Sequence, residues 1–122
     1  MHRQTLDCQD IVLRAVLRSA HIDRENNRVR SDAFMLRPLP KDEDGLSVSF
    51  DCEPAQSASQ FKKCYGVASL HVGRIRDLGL DVVPDDVTHA NVTGLLRSDD
   101  NPAEAEHFAS QLAKQARLVW QP

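Results

Sequence analysis

The sequence has few cysteines and few aromatic residues, and its apolar runs are short. Its three cysteines, Cys8, Cys52 and Cys64, are an odd number without a CxxC spacing, which argues against a disulfide-stapled scaffold and a zinc ribbon. No run approaches the roughly 18 apolar residues of a membrane span, and the polar start MHRQTLDCQD lacks the apolar core of a signal peptide. We therefore expect a cytoplasmic protein, complete as it stands, that does not act at a membrane.

Several motifs that carry chemistry are also missing. There is no P-loop, GxGxxG, GxSxG or HExxH pattern, which removes the commonest signatures of NTPases, dinucleotide enzymes, serine hydrolases and zinc peptidases. Aspartates and glutamates cluster at 42–44, 85–86 and 99–100, in loops where turn geometry already favours aspartate. We therefore expect neither a metal site nor a bound cofactor.

The chain is 122 residues long, 41% of them apolar and 27% charged. This size and composition are typical of one globular domain, here residues 1–122, which buries enough apolar surface to fold without a structural metal.

Apolar periodicity predicts several short strands. Leu46, Val48 and Phe50 alternate with Ser47 and Ser49, as in a half-buried strand. Residues 11–20 fit either a strand or a helix, and we favour the strand. Further strands are predicted in 66–72, 80–83 and 89–95, a short extended piece in 33–37, a polar hairpin or loop in 21–32, a short helix in 54–64 and a helical turn in 73–79.

The end of the chain carries the clearest helix signal. Asn101 is placed to cap the helix, Pro102 suits its first position, and Glu104 completes a capping box. Apolar residues at helical spacing extend this helix from about 102 to 119. The predicted fold is α+β, a small mixed or antiparallel sheet of about five strands with a C-terminal amphipathic helix packed on it.

The charge is unevenly distributed along the chain. The net charge of −3 divides into about +2 over residues 1–40 and −5 over residues 41–122, and 11 of the 15 basic residues are arginine. Arginine binds carboxylates in a bidentate manner and is enriched at interfaces. We therefore predict a small accessory module that docks a partner protein through an N-terminal surface bearing Arg18, Arg24, Arg28, Arg30 and Arg37.

Nucleic acid is a less favoured partner for the same surface. The chain has only four Phe, one Tyr and one Trp, so its basic residues are not interleaved with the aromatic side chains on which bases stack.

Histidine and serine side chains in the predicted strands are candidates for acid–base chemistry. His71 and His89 lie in separate strands and are candidates to face a common pocket, and Ser47 and Ser49 are candidates to line a cleft. The ordinary alternatives are a half-exposed histidine at a sheet edge and the polar face of an antiparallel strand.

The order of three segments, VLRAVLR at 12–18, GLSVSF at 45–50 and VASLHVGRIRDLGLDVVPDDVTHANVTGL at 67–95, resembles small bacterial ADP-ribosyltransferase-like domains. The resemblance implies that Arg14 or Arg18 holds the NAD diphosphate or ribose, that Ser47 or Ser49 shapes the pocket, and that His89 stands where a polar residue, often glutamate, contacts the reacting ribose. The alternative function is therefore an enzyme that consumes NAD or handles nucleotides, with Arg14, Ser47 and His89 as its catalytic residues.

Overall fold

The computed structural model describes residues 5–122, which form eight β-strands, three α-helices and two short 3₁₀ helices. The strands are β1 (Ile11–Val16), β2 (Ile22–Asp23), β3 (Arg28–Val29), β4 (Leu46–Ser49), β5 (Gly66–His71), β6 (Asp81–Pro84), β7 (His89–Thr93) and β8 (Arg117–Trp120). The α-helices are α1 (Pro54–Ser59), α2 (Val72–Asp77) and α3 (Pro102–Gln115), and the 3₁₀ helices span Ser19–His21 and Ser31–Phe34.

Six strands form one antiparallel sheet in the order β6-β7-β4-β1-β5-β8, and β2 and β3 form a separate hairpin. The α+β fold with an antiparallel sheet and a packed C-terminal helix is confirmed, with one strand more in the main sheet than the expected five. In the described part of the chain, no helix combines the length and apolar character needed to cross a membrane.

The two faces of the main sheet differ in what covers them. On one, the core face, apolar side chains of the sheet pack with α2, α3 and the Ser31–Phe34 turn; its fully buried members include Val12, Val16, Leu46, Leu70, Val92, Ile75, Leu112 and Phe34. On the other, the second face, Leu13 and Val67 pack against Ala58 of α1. Since α1 contacts β1, β5 and β8, it covers that half of the second face.

Local sequence signals explain most of these elements. The alternation at 46–50 gives β4, the favoured strand in 11–20 is β1, and the polar segment 21–32 contains the β2–β3 hairpin. Asn27 in this hairpin adopts φ 54, a conformation that asparagine tolerates better than most residues.

Three predicted boundaries are wrong. The C-terminal helix ends at Gln115 rather than 119, because residues 117–120 pair with β5 as the edge strand β8. The helix predicted in 54–64 ends at Ser59, and Ala33 and Phe34 are in a 3₁₀ turn rather than an extended segment. Pairing with β5 decides the first of these cases, and packing of the Ser31–Phe34 turn against α3, which buries Ala33 and Phe34, decides the third.

Candidate functional sites

Ser47 and His89 meet on the second face of the sheet. In the β4–β7 ladder Ser47 lies opposite Asn91 and Ser49 lies opposite His89. Side chains two residues apart share a face, so Ser47 and His89 are diagonal neighbours. Ser47 Oγ lies 2.5 Å from His89 Nε2.

Asp85 extends this contact from the turn between β6 and β7. The backbone N–H of Asp85 donates to the carbonyl of His89, which folds the turn back on β7. Asp85 Oδ1 then lies 2.5 Å from His89 Nδ1, and Asp85 Oδ2 accepts a hydrogen bond from Asn91 Nδ2 at 2.8 Å. We call Ser47, Asp85, His89 and Asn91 the Ser47 cluster.

The charge on Asp85 determines the hydrogen-bonding roles within the Ser47 cluster. Partial burial raises the pKa of Asp85, but the hydrogen bonds from His89 and Asn91 outweigh it and leave the pKa below its ordinary value. The ionised carboxylate only accepts hydrogen bonds, so Nδ1 of His89 carries a proton. In neutral His89 the Nε2 atom is then an acceptor, and the Ser47 hydroxyl donates to it.

Arg14 lies on the opposite face of the sheet from these side chains. Leu13 pairs with Ser49, so both belong to the second face, whereas Arg14 alternates onto the core face with Val12. Its Nε donates to the Ala33 carbonyl at 3.0 Å and its Nη1 to the Ser47 carbonyl at 2.9 Å. The structure therefore brings Ser47 and His89 together, but the Arg14 guanidinium does not line a common cleft with them.

The environment of Arg14 agrees with a structural position. Burial is the main cause that lowers the pKa of Arg14 to about 10, with Arg37 acting in the same direction and Asp42 against it. The guanidinium donates hydrogen bonds to two backbone carbonyls, those of Ala33 and Ser47, which belong to different parts of the chain.

His71 and His89 do not share a pocket. His71 is on β5 and His89 on β7, and strands β1 and β4 lie between them. Strands in a sheet are spaced about 4.8 Å apart, so the two histidines are roughly 14 Å apart across the sheet.

All five arginines predicted to dock a partner are exposed, but they differ in whether the guanidinium is already paired. Arg18, Arg24, Arg28 and Arg30 make no side-chain hydrogen bond or ion pair with the described residues, and we call them the arginine patch.

Arg37, the fifth predicted docking residue, is bound within the protein instead. It forms a bidentate pair with Asp42 at 2.9 and 3.1 Å. Arg97 holds the same loop from the other side by donating to the carbonyls of Arg37 and Asp42 at 2.6 and 2.8 Å. The guanidinium of Arg37 thus closes a loop and does not belong to the arginine patch.

Comparison with known proteins identifies no relative of this chain. No family model, curated protein or solved structure matches the chain. The resemblance to ADP-ribosyltransferase-like domains and the NAD chemistry that it implies remain predictions.

Sequence reasoning missed Asp85 and Asn91. Turn geometry alone explains an aspartate at position 85, and Asn91 lies within a predicted strand, so neither residue by itself indicates a site. The spacing Asp-x-x-x-His-x-Asn at 85–91 is visible in the sequence, but it brings the three side chains together only because the turn folds back onto β7.

Proposed function

We propose that this protein is a small interaction module that docks a partner protein through the arginine patch. The observation that supports this most directly is the set of four exposed guanidinium groups that form no hydrogen bond or ion pair with a carboxylate of the described residues. Of these, Arg30 lies near enough to Asp23 for its charge to help lower the pKa of that carboxylate. Exposed guanidinium groups that are not already paired are free to form bidentate contacts with carboxylates of another molecule.

The patch is assembled around the β2–β3 hairpin and the turn before it. Ile22 and Val29 pair and are buried, so their neighbours Arg28 and Arg30 point away from the core. The backbone N–H of Arg30 donates to the His21 carbonyl at 2.7 Å, which ties the end of the hairpin to that turn. Burial lowers the pKa of His21; the charge of Asp32 opposes this effect, and the charge of Arg18 adds to it.

The charge pattern favours a protein over a nucleic acid as the partner. Asp23, Glu25 and Asp32 are interspersed among the four arginines, so the surface presents both signs of charge. A continuous phosphate backbone would be repelled by those carboxylates, whereas a folded partner can match each charge with its opposite. Leu17, which is 44% exposed, adds an apolar side chain next to Arg18.

Charge reversal tests the proposal. The partner is first captured from a lysate of the source cells with the wild-type protein, then purified, and its association rate is measured by biolayer interferometry. Reversal of both charges in Arg28→Glu/Arg30→Glu should slow association by about tenfold or more, because oppositely charged surfaces steer the encounter. The effect should diminish at high salt, where charges are screened.

A matched control reverses two exposed cations elsewhere. Arg74 on α2 and Lys114 on α3 are exposed, so Arg74→Glu/Lys114→Glu has the same net charge as the test variant. The proposal predicts an association rate near wild type for this control. Equal rates for the two double variants would refute it, as would failure of the wild-type protein to capture any protein, or binding of labelled RNA in preference to the captured protein.

A further inference from the structure

We propose that the Ser47 cluster is a nucleophilic site in which Ser47 takes an acyl group from a carboxylic ester. This activity does not depend on the proposed docking function. Ser47 and His89 would be the catalytic residues, and Asp85 and Asn91 would be positioning residues.

Ser47, His89 and Asp85 are hydrogen-bonded in the order that activates a serine as a nucleophile. A serine hydroxyl is a weak nucleophile on its own and needs a neighbouring base, which in turn needs a group that fixes its orientation. Here Ser47 Oγ lies 2.5 Å from His89 Nε2, and His89 Nδ1 lies 2.5 Å from Asp85 Oδ1. Such a site is recognised by geometry and roles rather than by sequence position, so the missing GxSxG pattern does not exclude it.

Asn91 fixes the orientation of the Asp85 carboxylate. It is 8% exposed and donates to Asp85 Oδ2 at 2.8 Å, which leaves Oδ1 for His89. Both carboxylate oxygens are therefore held, and the histidine ring is fixed with Nε2 towards Ser47.

The site is open to solvent on one side. The side chains of His89 and Asp85 are 39% and 45% exposed, and they lie on the half of the second face formed by β6, β7 and β4. Val83 lies opposite Asn91 in the β6–β7 ladder, which makes it a same-face neighbour, and it is 44% exposed. Two strand spacings put Val83 about 10 Å from Ser47, which suits an ester with a short apolar acyl group.

The proposed reaction is the hydrolysis of an ester, with water as the second substrate. As Ser47 Oγ attacks the ester carbonyl carbon, its proton passes to His89 Nε2. The bond from the carbonyl carbon to the alcohol oxygen then breaks, and the alcohol leaves with that proton. Water attacks the acyl-serine in the same way, giving its proton to Nε2, and the acid and free Ser47 are released when the proton returns to Oγ.

Ser49 provides an internal control for this chemistry. It lies on the same face of the same strand, but its Oγ is buried and shares a hydrogen bond of 3.2 Å with Ser57 Oγ. Ser47 and Ser49 therefore differ both in exposure and in whether the hydroxyl contacts an imidazole. An adduct is expected on Ser47 and not on Ser49, and the His89→Ala variant isolates the contribution of the imidazole.

The test uses a fluorophosphonate, which phosphonylates activated serines with loss of fluoride. The wild-type protein should gain one adduct by intact mass, and peptide mapping should place it on Ser47. No adduct, or an adduct on Ser49 or on any other residue, would overturn the proposal. This measurement needs no variant and so does not depend on whether a substitution folds.

Variants then separate a reactive site from a structural cluster. Ser47→Ala and His89→Ala should each lower p-nitrophenyl butyrate hydrolysis by about 100-fold, with Ser49→Ala near wild type. Asp85→Asn should slow labelling and lower kcat for p-nitrophenyl butyrate with KM near wild type, because the His89 ring loses the carboxylate that orients Nε2 towards Ser47. Labelling of Ser47 that is unchanged in His89→Ala, or a kcat that is unchanged in Asp85→Asn, would contradict the assigned roles.

Discussion

Replacement of Arg14 tests whether its guanidinium holds β1 to β4 and to the Ser31–Phe34 turn. β1 and β4 are joined at the register pair of Leu13 with Ser49, and next to it Arg14 donates to the carbonyls of Ser47 and Ala33. Arg14 is partly buried, so both carbonyls lose a charged donor in Arg14→Ala.

The expected cost of Arg14→Ala combines three effects. Two carbonyls left without donors cost about 1–3 kcal/mol each. Loss of Cγ and Cδ, the two stem carbons that alanine lacks, removes about 2 kcal/mol of apolar burial. Release of a partly buried charge, whose pKa is lowered to about 10, offsets about 2 kcal/mol after allowance for its remaining contact with water. We therefore expect Arg14→Ala to lower the free energy of unfolding by about 4 kcal/mol and Arg14→Met, which keeps the stem, by about 2 kcal/mol.

Urea denaturation followed by circular dichroism measures both values. Arg18→Ala is the matched control, since Arg18 is exposed and unpaired among the described residues, and its change should stay within about 0.5 kcal/mol. A change below about 1 kcal/mol in Arg14→Ala would show that the guanidinium does not bridge the two carbonyls.

Two further predictions concern the loop before β4 and the turns. Burial raises the pKa of Asp42, but hydrogen bonds and charge from Arg37 outweigh it and leave the pKa below its ordinary value. The ionised Asp42 therefore stabilises the fold at pH values above the ordinary pKa of an aspartate. This contribution is lost as the pH falls through the pKa of Asp42 in the folded protein. Asp42→Asn should lower stability at pH 7 and less at pH 3 in urea titrations, and an equal loss at both pH values would contradict this. Gly45 has φ +124 and a Cβ there would lie 2.4 Å from the Val92 carbonyl oxygen, whereas Gly79 has φ +85 with open space around it. Gly45→Ala should therefore cost more than about 2 kcal/mol and Gly79→Ala about 1 kcal/mol, and thermal melts giving equal costs would refute the role of the close approach.

Much of the fold follows from local pattern. The alternation of Leu46, Ser47 and Val48 specifies a strand with one apolar face, and Pro102 marks where α3 begins because proline suits a first helical position. These signals depend on neighbours in sequence, so no knowledge of the rest of the chain is required.

The end of α3 could not be predicted in the same way. Ala116 and Val119 continue the apolar spacing of the helix, yet the apolar run Leu118–Trp120 also contains the β-branched and aromatic residues that strands favour. The choice depends on β5, whose free edge offers backbone hydrogen bonds to these residues. That edge comes from residues some 50 positions earlier in the chain.

The candidate site was predictable only in part. Alternation places Arg14 with Val12 and Val16 on one face of β1, which the sequence shows as soon as 11–16 is taken as a strand. That Ser47 points to the other side depends on the pairing of Leu13 with Ser49, and its contact with His89 depends on β4 pairing with β7. The register between distant strands is set when the sheet assembles, so it cannot be predicted from the sequence of either strand alone.

The position of β1 in the sheet affects how the chain folds during synthesis. β1 is made before the other strands of the described residues, but it pairs with β4 and β5, and Val16 meets its partner Gly66 only after 50 more residues. At about 5–20 residues per second, the ribosome takes roughly 3–10 seconds to supply that partner. During this interval β1 can pair only with β4, once that strand has been made, and its other edge stays open until β5 emerges.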